Sequence, residues 1–395
     1  MTSQPEETPS APVVESVPLL DVNRDNAPLR DEFVDAVTAV IDSGRFLFGP
    51  DVAELECEMA GLCQVENAVG CASGSDALLL ALMALEIGPG DEVIVPSFTF
   101  FASVSCITRL GATPVFADIC PETFNVSPDA VANLITEKTA AIIPVHLFGQ
   151  CAQIDRICEI ASEADIPVVE DAAQAIGAAY ANQPAGSWGL CGCFSYYPTK
   201  NLGGMGDGGM LTSNDAAMAD RLRLLAGHGM RPRYYHQAVG INSRLDSFQA
   251  AVLRVKLKHL DSSVQLRRAN AARYDRLLMA SGLVEKGAIT LPRRDAKARH
   301  VWNQYAIRVA DGRRDDVRGH LAERQVGTEI YYPVPMHKQD CFQNLSFRQD
   351  SLVETDLASS QVLNLPIFPS LTEAEQVRVV DCLASYFAMS SRAAA

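Results

Sequence analysis

Lys200 lies in Tyr197-Pro198-Thr199-Lys200-Asn201-Leu202-Gly203-Gly204, a loop that follows the apolar run 192–196 and precedes further glycines at 206, 208 and 209. A lysine held among apolar segments and closely approaching backbone loses its proton easily, and the neutral amine can form a Schiff base with an aldehyde. For a lysine taken alone, a solvated loop position is the better account. The loops elsewhere in the chain change the balance. Val168-Val169-Glu170-Asp171 reads as an apolar strand ending in two acids, with Asp171 emerging into the loop. A carboxylate there can hold a protonated pyridine nitrogen, and Gln174, one turn further on, can reach the same ligand. Ser73-Gly74-Ser75-Asp76 opens a helix whose free N–H groups and partial positive charge suit an anion, although Ser and Asp are also ordinary N-caps. Pro96-Ser97-Phe98-Thr99-Phe100-Phe101 follows a further strand and offers an aromatic face for stacking, or simply core. An amine, an acid, an anion cradle and a flat surface together ask for one cofactor, pyridoxal phosphate.

Those loops need a scaffold that brings them to one edge. Apolar runs alternate with helical patterns: strands at 67–72, 92–95, 113–118, 140–145 and 166–170, helices at 75–87, 128–136 and 155–164, and another ending at Leu110. Before them, helices are predicted over 29–43 and from Pro50 to Leu62. This rhythm predicts a three-layer α/β fold with a mostly parallel sheet, whose ligands sit beyond the carboxyl ends of the strands. A long helical pattern over 248–278 then leads to a smaller α/β region with a strand at 301–309 and helices at 315–324 and 372–387. The expected division is a disordered Pro/Glu/Ser/Thr-rich tail at 1–18, a large cofactor-binding domain at 19–255 and a small domain at 256–395.

Composition narrows the function classes. The net charge of −15 argues against nucleic acid or an anionic membrane as partner. No apolar run is long enough to span a bilayer and no secretion signal is read at the N-terminus, so a cytoplasmic address is expected. The 11 cysteines are odd in number and scattered, which speaks against a disulfide framework. Cys191 and Cys193 have no second pair or histidines at ligand spacing, so no metal site is expected.

The segments 72–78, 88–97, 170–174, 197–203, 240–246 and 332–337 resemble the DegT/DnrJ/StrS family of sugar aminotransferases, which have the aspartate aminotransferase fold. The resemblance runs from about Phe46 to the last helix. It implies Lys200 as the Schiff-base lysine, Asp171 on the pyridinium nitrogen, Phe100 stacked on the ring, and Gln174 near the ring hydroxyl. Gly74, Ser75 and Ser195 fall at the phosphate site, and Asn242 where a residue reaches the phosphate from the neighbouring subunit, which implies a homodimer with shared active sites. Tyr332 and His337 fall in the sugar-side segment. Relatives that dehydrate sugars carry histidine at the lysine position; this chain keeps Lys200, which favours transamination.

The function expected on this basis is transfer of an amino group from an amino acid, the family's usual donor being glutamate, to a nucleotide-linked keto-sugar. It would serve amino-sugar biosynthesis for a surface polysaccharide or a glycosylated metabolite. Arg231, Arg233 and Arg244 could meet a diphosphate, and Tyr234-Tyr235-His236 could line the same pocket. The segment 300–305 resembles versions acting on 3-keto sugars, with 4-keto substrates as the alternative. Amination of a cyclitol or other cyclic ketone is a rival on the same scaffold. A regulatory sensor that keeps the cofactor is a further rival, disfavoured by the intact Lys200–Asp171 pair.

Overall fold

The computed structural model describes residues 14–345, 347–349 and 351–393. Helices α1 (Val22–Asn26), α2 (Arg30–Ser43) and α3 (Pro50–Cys63) come first. Gly44 ends α2 in left-handed backbone (φ 64°), and Pro50 opens α3 at its first position, as both residue types favour. The alternating part follows as β1 (Asn67–Cys71), α4 (Gly74–Ala84), β2 (Glu92–Pro96), α5 (Ala102–Arg109), β3 (Thr113–Ala117), α6 (Pro128–Leu134), β4 (Thr139–Ile142), α7 (Ile154–Glu163) and β5 (Val169–Asp171). Short β6 (Ala179–Tyr180) and β7 (Gln183–Pro184) precede β8 (Cys191–Ser195), β9 (Gly209–Ser213), α8 (Ala216–Ala226), α9 (Ser247–Leu257) and α10 (Leu260–Ala280). The chain ends with β10 (Ile289–Thr290), β11 (Ala298–Arg299), β12 (Tyr305–Val309), α11 (Arg314–Glu323), β13 (Arg348–Gln349), α12 (Val353–Gln361), β14 (Val362–Leu365) and α13 (Glu373–Ala393).

The strands pair as β1-β9-β8-β5 and as β13-β3-β2-β4. Parallel bridges from Ile142 to Val168 and from Val145 to Asp171 join the two sets into one sheet. Every pairing in it is parallel except those of β9 with β1 and β8. Successive residues of a strand point to opposite faces. Ile94, Val115, Ile142 and Val168 enter a core with Leu55, Val131, Ile157 and Leu253, while Val93, Phe116, Ala141 and Val169 enter another with Leu78, Val104 and Leu222. Helices α3, α6, α7 and α9 therefore cover one face and α4, α5 and α8 the other. This is the three-layer architecture expected.

The C-terminal region builds a second, antiparallel sheet, β10-β12-β14, under α10, α11 and α13. Its core takes in Phe98, Phe124 and Phe148 from the loops of the large sheet, so the two regions share apolar contacts.

Four expectations change. Residues 1–13 of the expected tail lie outside the described residues, but Val17 is buried and bridges Val326 through its N–H to Gln325 and its carbonyl to Gly327. The single helix over 248–278 is two helices parted at Lys258-His259, so that α9 packs on α2 and α3 while α10 packs on α13. No glycine or proline marks that break, and the expected boundary at 255/256 falls inside α9. The strand expected from Val301 begins at Tyr305, because Val301 and Asn303 instead donate their N–H groups to Gly149 and Phe148. Asp171, finally, is the last residue of β5 and is buried, not a loop residue.

Candidate functional site

The carboxyl ends of β2, β5 and β8 meet the start of α4 at one place. Asp171 leaves β5 on the face covered by α5, and there its Oδ2 accepts a 2.7 Å hydrogen bond from Ser103 of α5. Thr99 lies 2.9 Å from Ser103, and since the Ser103 proton is committed to Asp171, Thr99 donates in its turn. The Ala173 N–H supplies a 3.1 Å bond to Oδ1. Burial pushes the Asp171 carboxyl above the ordinary carboxylate range, while Ser103, Ala173, Lys200 and His146 pull the other way.

Lys200 follows β8 in a tight turn closed by its own N–H on the Tyr197 carbonyl (2.8 Å). A side chain at Gly203 would run into the Pro198 carbonyl, so the turn requires glycine there. Among the described residues, the Lys200 Nζ makes no hydrogen bond or ion pair. Burial lowers its pKa from 10.5 to about 8, opposed by the charge of Asp171. Asn201 holds the turn from beside it: its Nδ2 donates to the Val301 carbonyl (3.0 Å) and its Oδ1 accepts from Asn303 (3.1 Å). The stretch that left the strand at 301–304 is thus the brace of the lysine turn.

At the start of α4, Ser73 caps the helix by accepting from the Asp76 N–H (3.1 Å). Helix geometry leaves the N–H groups of Gly74 and Ser75 unused. A Cβ on Gly74 would lie 2.6 Å from that of Ser195, which shows how closely the end of β8 approaches this turn. The Asp76 carboxylate is engaged by buried Ser243 (2.7 Å).

Gln174 accepts from the Phe148 N–H (2.7 Å) and donates to the Tyr332 hydroxyl (3.3 Å). Phe100 is 55% exposed, and its ring lies 6.0 Å from that of Tyr332. The structure therefore gathers Asp171, Gln174, Phe100 and Tyr332 along one wall. His337 is turned inward instead: Ser97 lies 2.8 Å from its Nδ1, and Asp356 faces its Nε2. Asn242 is exposed and bridges Gly227. Arg231 is occupied by a two-pronged pair with Asp220 (2.7 and 2.8 Å), and Arg233 lies over Tyr234. Arg244, over Phe48, has a buried Nε without a partner.

Sequence reading missed three supports: the Thr99–Ser103 relay, the Asn201–Asn303 brace, and the pair of Glu170 with His146. Glu170 is fully buried and accepts from His146 Nε2 (2.9 Å) and from the N–H groups of Gly186, Trp188 and Gly189 (2.8, 2.8 and 2.9 Å). The Ala152 N–H donates to His146 Nδ1, which leaves the proton on Nε2 for Glu170. The signals in the sequence were indirect: a serine at 103 just after the 96–101 loop, and the adjacency of Asn201 to Lys200 and of Glu170 to Asp171.

A buried carboxylate with unused acceptor capacity, a lysine amine without a partner and two free helix N–H groups fit an aldehyde-bearing, protonated pyridine phosphate. The profile of the DegT/DnrJ/EryC1/StrS aminotransferase family matches residues 28–384. The chain belongs to that family. It is a pyridoxal phosphate-dependent aminotransferase. Among this aminotransferase's relatives, a Geobacillus stearothermophilus "pleiotropic regulatory protein" is 43% identical over 94% of this chain and 99% of its own. A Streptomyces venezuelae dTDP-3-amino-3,4,6-trideoxy-alpha-D-glucose transaminase is 42% identical over 93% of this chain and 95% of its own. The crystal structure of S. venezuelae DesV superposes with a TM-score of 0.89 at 42% identity, covering 94% of this chain and 99% of that one.

Proposed function

We propose that this aminotransferase moves an amino group from an amino acid, L-glutamate first, to a nucleotide-linked keto-sugar, with the 3-keto position favoured over the 4-keto. The observation that carries the reading is the partnerless Lys200 amine facing the charge of Asp171. A relative whose name states a 3-amino sugar, at 42% identity, supports the acceptor and the position. Bound here, pyridoxal phosphate supplies the electron sink that stabilises negative charge at the donor's α-carbon. Lys200 would hold the cofactor through its amine, and that amine would carry a proton at the donor's α-carbon. Asp171 keeps the pyridine nitrogen protonated, with Ser103 and Thr99 fixing the carboxylate. The N–H groups of Gly74 and Ser75, with the Ser195 hydroxyl, hold the phosphate. Phe100 would lie against the ring and Gln174 near its hydroxyl, while Tyr332, which accepts from Gln174, would serve the sugar side.

Asn242 and Arg244 serve a site shared with a second copy in a homodimer, Asn242 on the phosphate and Arg244 on the substrate's diphosphate. Exposed Phe46, Leu47, Phe48 and Val239 support such an apolar contact. His337 acts on the sugar side through the fold of its segment. The enzyme works in the cytoplasm, in amino-sugar synthesis for a polysaccharide or glycosylated metabolite; no helix among the described residues is long and apolar enough to cross a membrane. The large and small domains divide near the α9–α10 break.

The relative named as a regulatory protein keeps a second reading in view, a ligand sensor on the same scaffold. The two separate in one experiment. The enzyme is first aminated with glutamate, and keto-sugar nucleotides are then screened for recovery of its visible absorbance. Rapid, saturable recovery with a 3-keto sugar and release of the amino sugar is expected; ligand binding without turnover across the screen would sink the enzymatic assignment to sugars.

A further inference from the structure

Behind the Lys200 turn lies a cavity of about 50 Å³, between α1, the end of α9 and the start of α10. That is room for roughly one or two waters or one small oxyanion. Its walls include Asp25, Pro198, Lys200, Lys256, His259 and Arg267.

The charges there do not balance. Arg267 is 4% exposed, and its Nη1 donates to the carbonyls of Trp302 (3.2 Å) and Ile367 (2.9 Å), while its Nε is buried with no partner. Among the described residues, the Lys256 Nζ has no hydrogen bond or ion pair. Asp25 is the carboxylate that acts on both cations, and its Oδ1 already accepts from the N–H (3.1 Å) and hydroxyl (2.6 Å) of Ser370. His259 faces Glu32 at 3.7 Å. It also stands at the N-cap of α10, which has no side-chain cap; α9 ends at Leu257 just before it, so the two helix ends offset one another and side chains set the local charge. Burial draws Lys256 down to about 8, with Arg267 adding to the effect and Asp25 opposing it. Two cations with unsatisfied N–H groups and one shared carboxylate leave a deficit of negative charge where desolvated donors are costly to leave unpaired.

We infer that this cavity binds a small anion, an oxyanion or a carboxylate, held between Lys256 and Arg267 against the back of the Lys200 turn. It is separate from the phosphate cradle at α4. Occupancy places a negative charge beside the wall that carries Lys200 and so favours the protonated form of its amine. Two sources share the chemistry, a free inorganic anion and the carboxylate of an amino acid donor.

The test is a titration of the holoenzyme, in which the cradle is filled by cofactor, with sodium phosphate, formate or glutarate at constant ionic strength. Melting temperature is the readout. A saturable rise is expected, with a midpoint at least tenfold higher in Lys256→Met and close to wild type in Lys256→Arg. The wild-type midpoint should weaken as pH passes about 8, and the Lys256→Arg midpoint should not. Saturation by phosphate identifies a free inorganic anion, and saturation by formate or glutarate alone identifies the donor carboxylate. A rise that is linear in salt, or equal in Lys256→Met, overturns the inference. Arg267 is not the variant of choice, because its two carbonyl bonds tie α10 to the C-terminal region and their loss would disturb folding.

Discussion

Glu170 and Asp171 are adjacent in β5, both buried, and chemically alike, yet the fold uses them in opposite ways. A carboxylate can accept about four hydrogen bonds. Glu170 receives four, from His146 and three backbone amides, and has no capacity left. Asp171 receives two, from Ser103 and Ala173, so part of its acceptor capacity stays unused on a wall shared with Gln174 and Tyr332. Strand alternation sends one side chain to each face of the sheet. On the Glu170 face stands the 186–189 turn, which needs an acceptor for its amides; on the Asp171 face the Lys200 amine is near and unpartnered. A saturated buried acid is architecture. An unsaturated one, its pKa raised by burial and its geometry fixed from one side, is chemistry waiting for a ligand.

The comparison can be broken at its functional end first. Lys200→Ala should abolish turnover by about two to four orders of magnitude or more, and it should release the cofactor's visible covalent signature while urea unfolding stays near wild type. An absorbing, covalently held cofactor in that variant would remove Lys200 from its role. Asp171→Asn keeps shape and burial, so it should cost about 100-fold or more in kcat with a small change in stability. Glu170→Gln should do the reverse: its new NH₂ confronts the two donors that share the oxygen it replaces, and about 2–4 kcal/mol of stability should vanish, read as a lower urea midpoint at unchanged slope. If Glu170→Gln instead spared stability and cost only activity, the division between the two acids would be wrong.

Smaller effects sharpen the picture. Asn201→Ala removes the two bonds to Val301 and Asn303, and kcat should fall about tenfold as the Lys200 amine loses its placement, with KM little changed. The cofactor-free protein offers a pH test. The folded pKa of Lys200 is depressed, to about 8 from 10.5, so the unfolded chain binds more protons between those values and stability rises with pH across that window. The charged lysine therefore penalises folding below pH 8. Apo Lys200→Met should be more stable than the apo wild type at neutral pH, the gap closing as pH approaches 10.5; a gap that widens with pH would contradict the assigned burial.

Much of the site was legible because it rests on local chemistry. Ser73-Gly74-Ser75 before an apolar helical pattern, and Lys200 in a glycine-crowded turn, declare themselves through backbone geometry that only certain residues permit. The strands expected at 67–72, 92–95 and 113–118 were legible to within one residue from apolar runs, whereas those expected at 140–145 and 166–170 run Thr139–Ile142 and Val169–Asp171. Asp171 was misplaced into the loop because acids after Val168-Val169 normally end a buried strand, and its burial is made tolerable by the Ala173 N–H together with Ser103, far off in the chain. The break at Lys258-His259 carried no glycine or proline to announce it.

What the sequence determined by itself is the periodic order of strands and helices, and the residue types that suit an amine, an acid and an anion cradle, since those follow from nearest-neighbour sterics and side-chain chemistry. The tertiary structure alone decided which acid is saturated, which asparagine braces the lysine, and that Lys256 and Arg267 share one cavity. These depend on pairings between distant segments, where burial and the number of available donors, not local propensity, set the outcome.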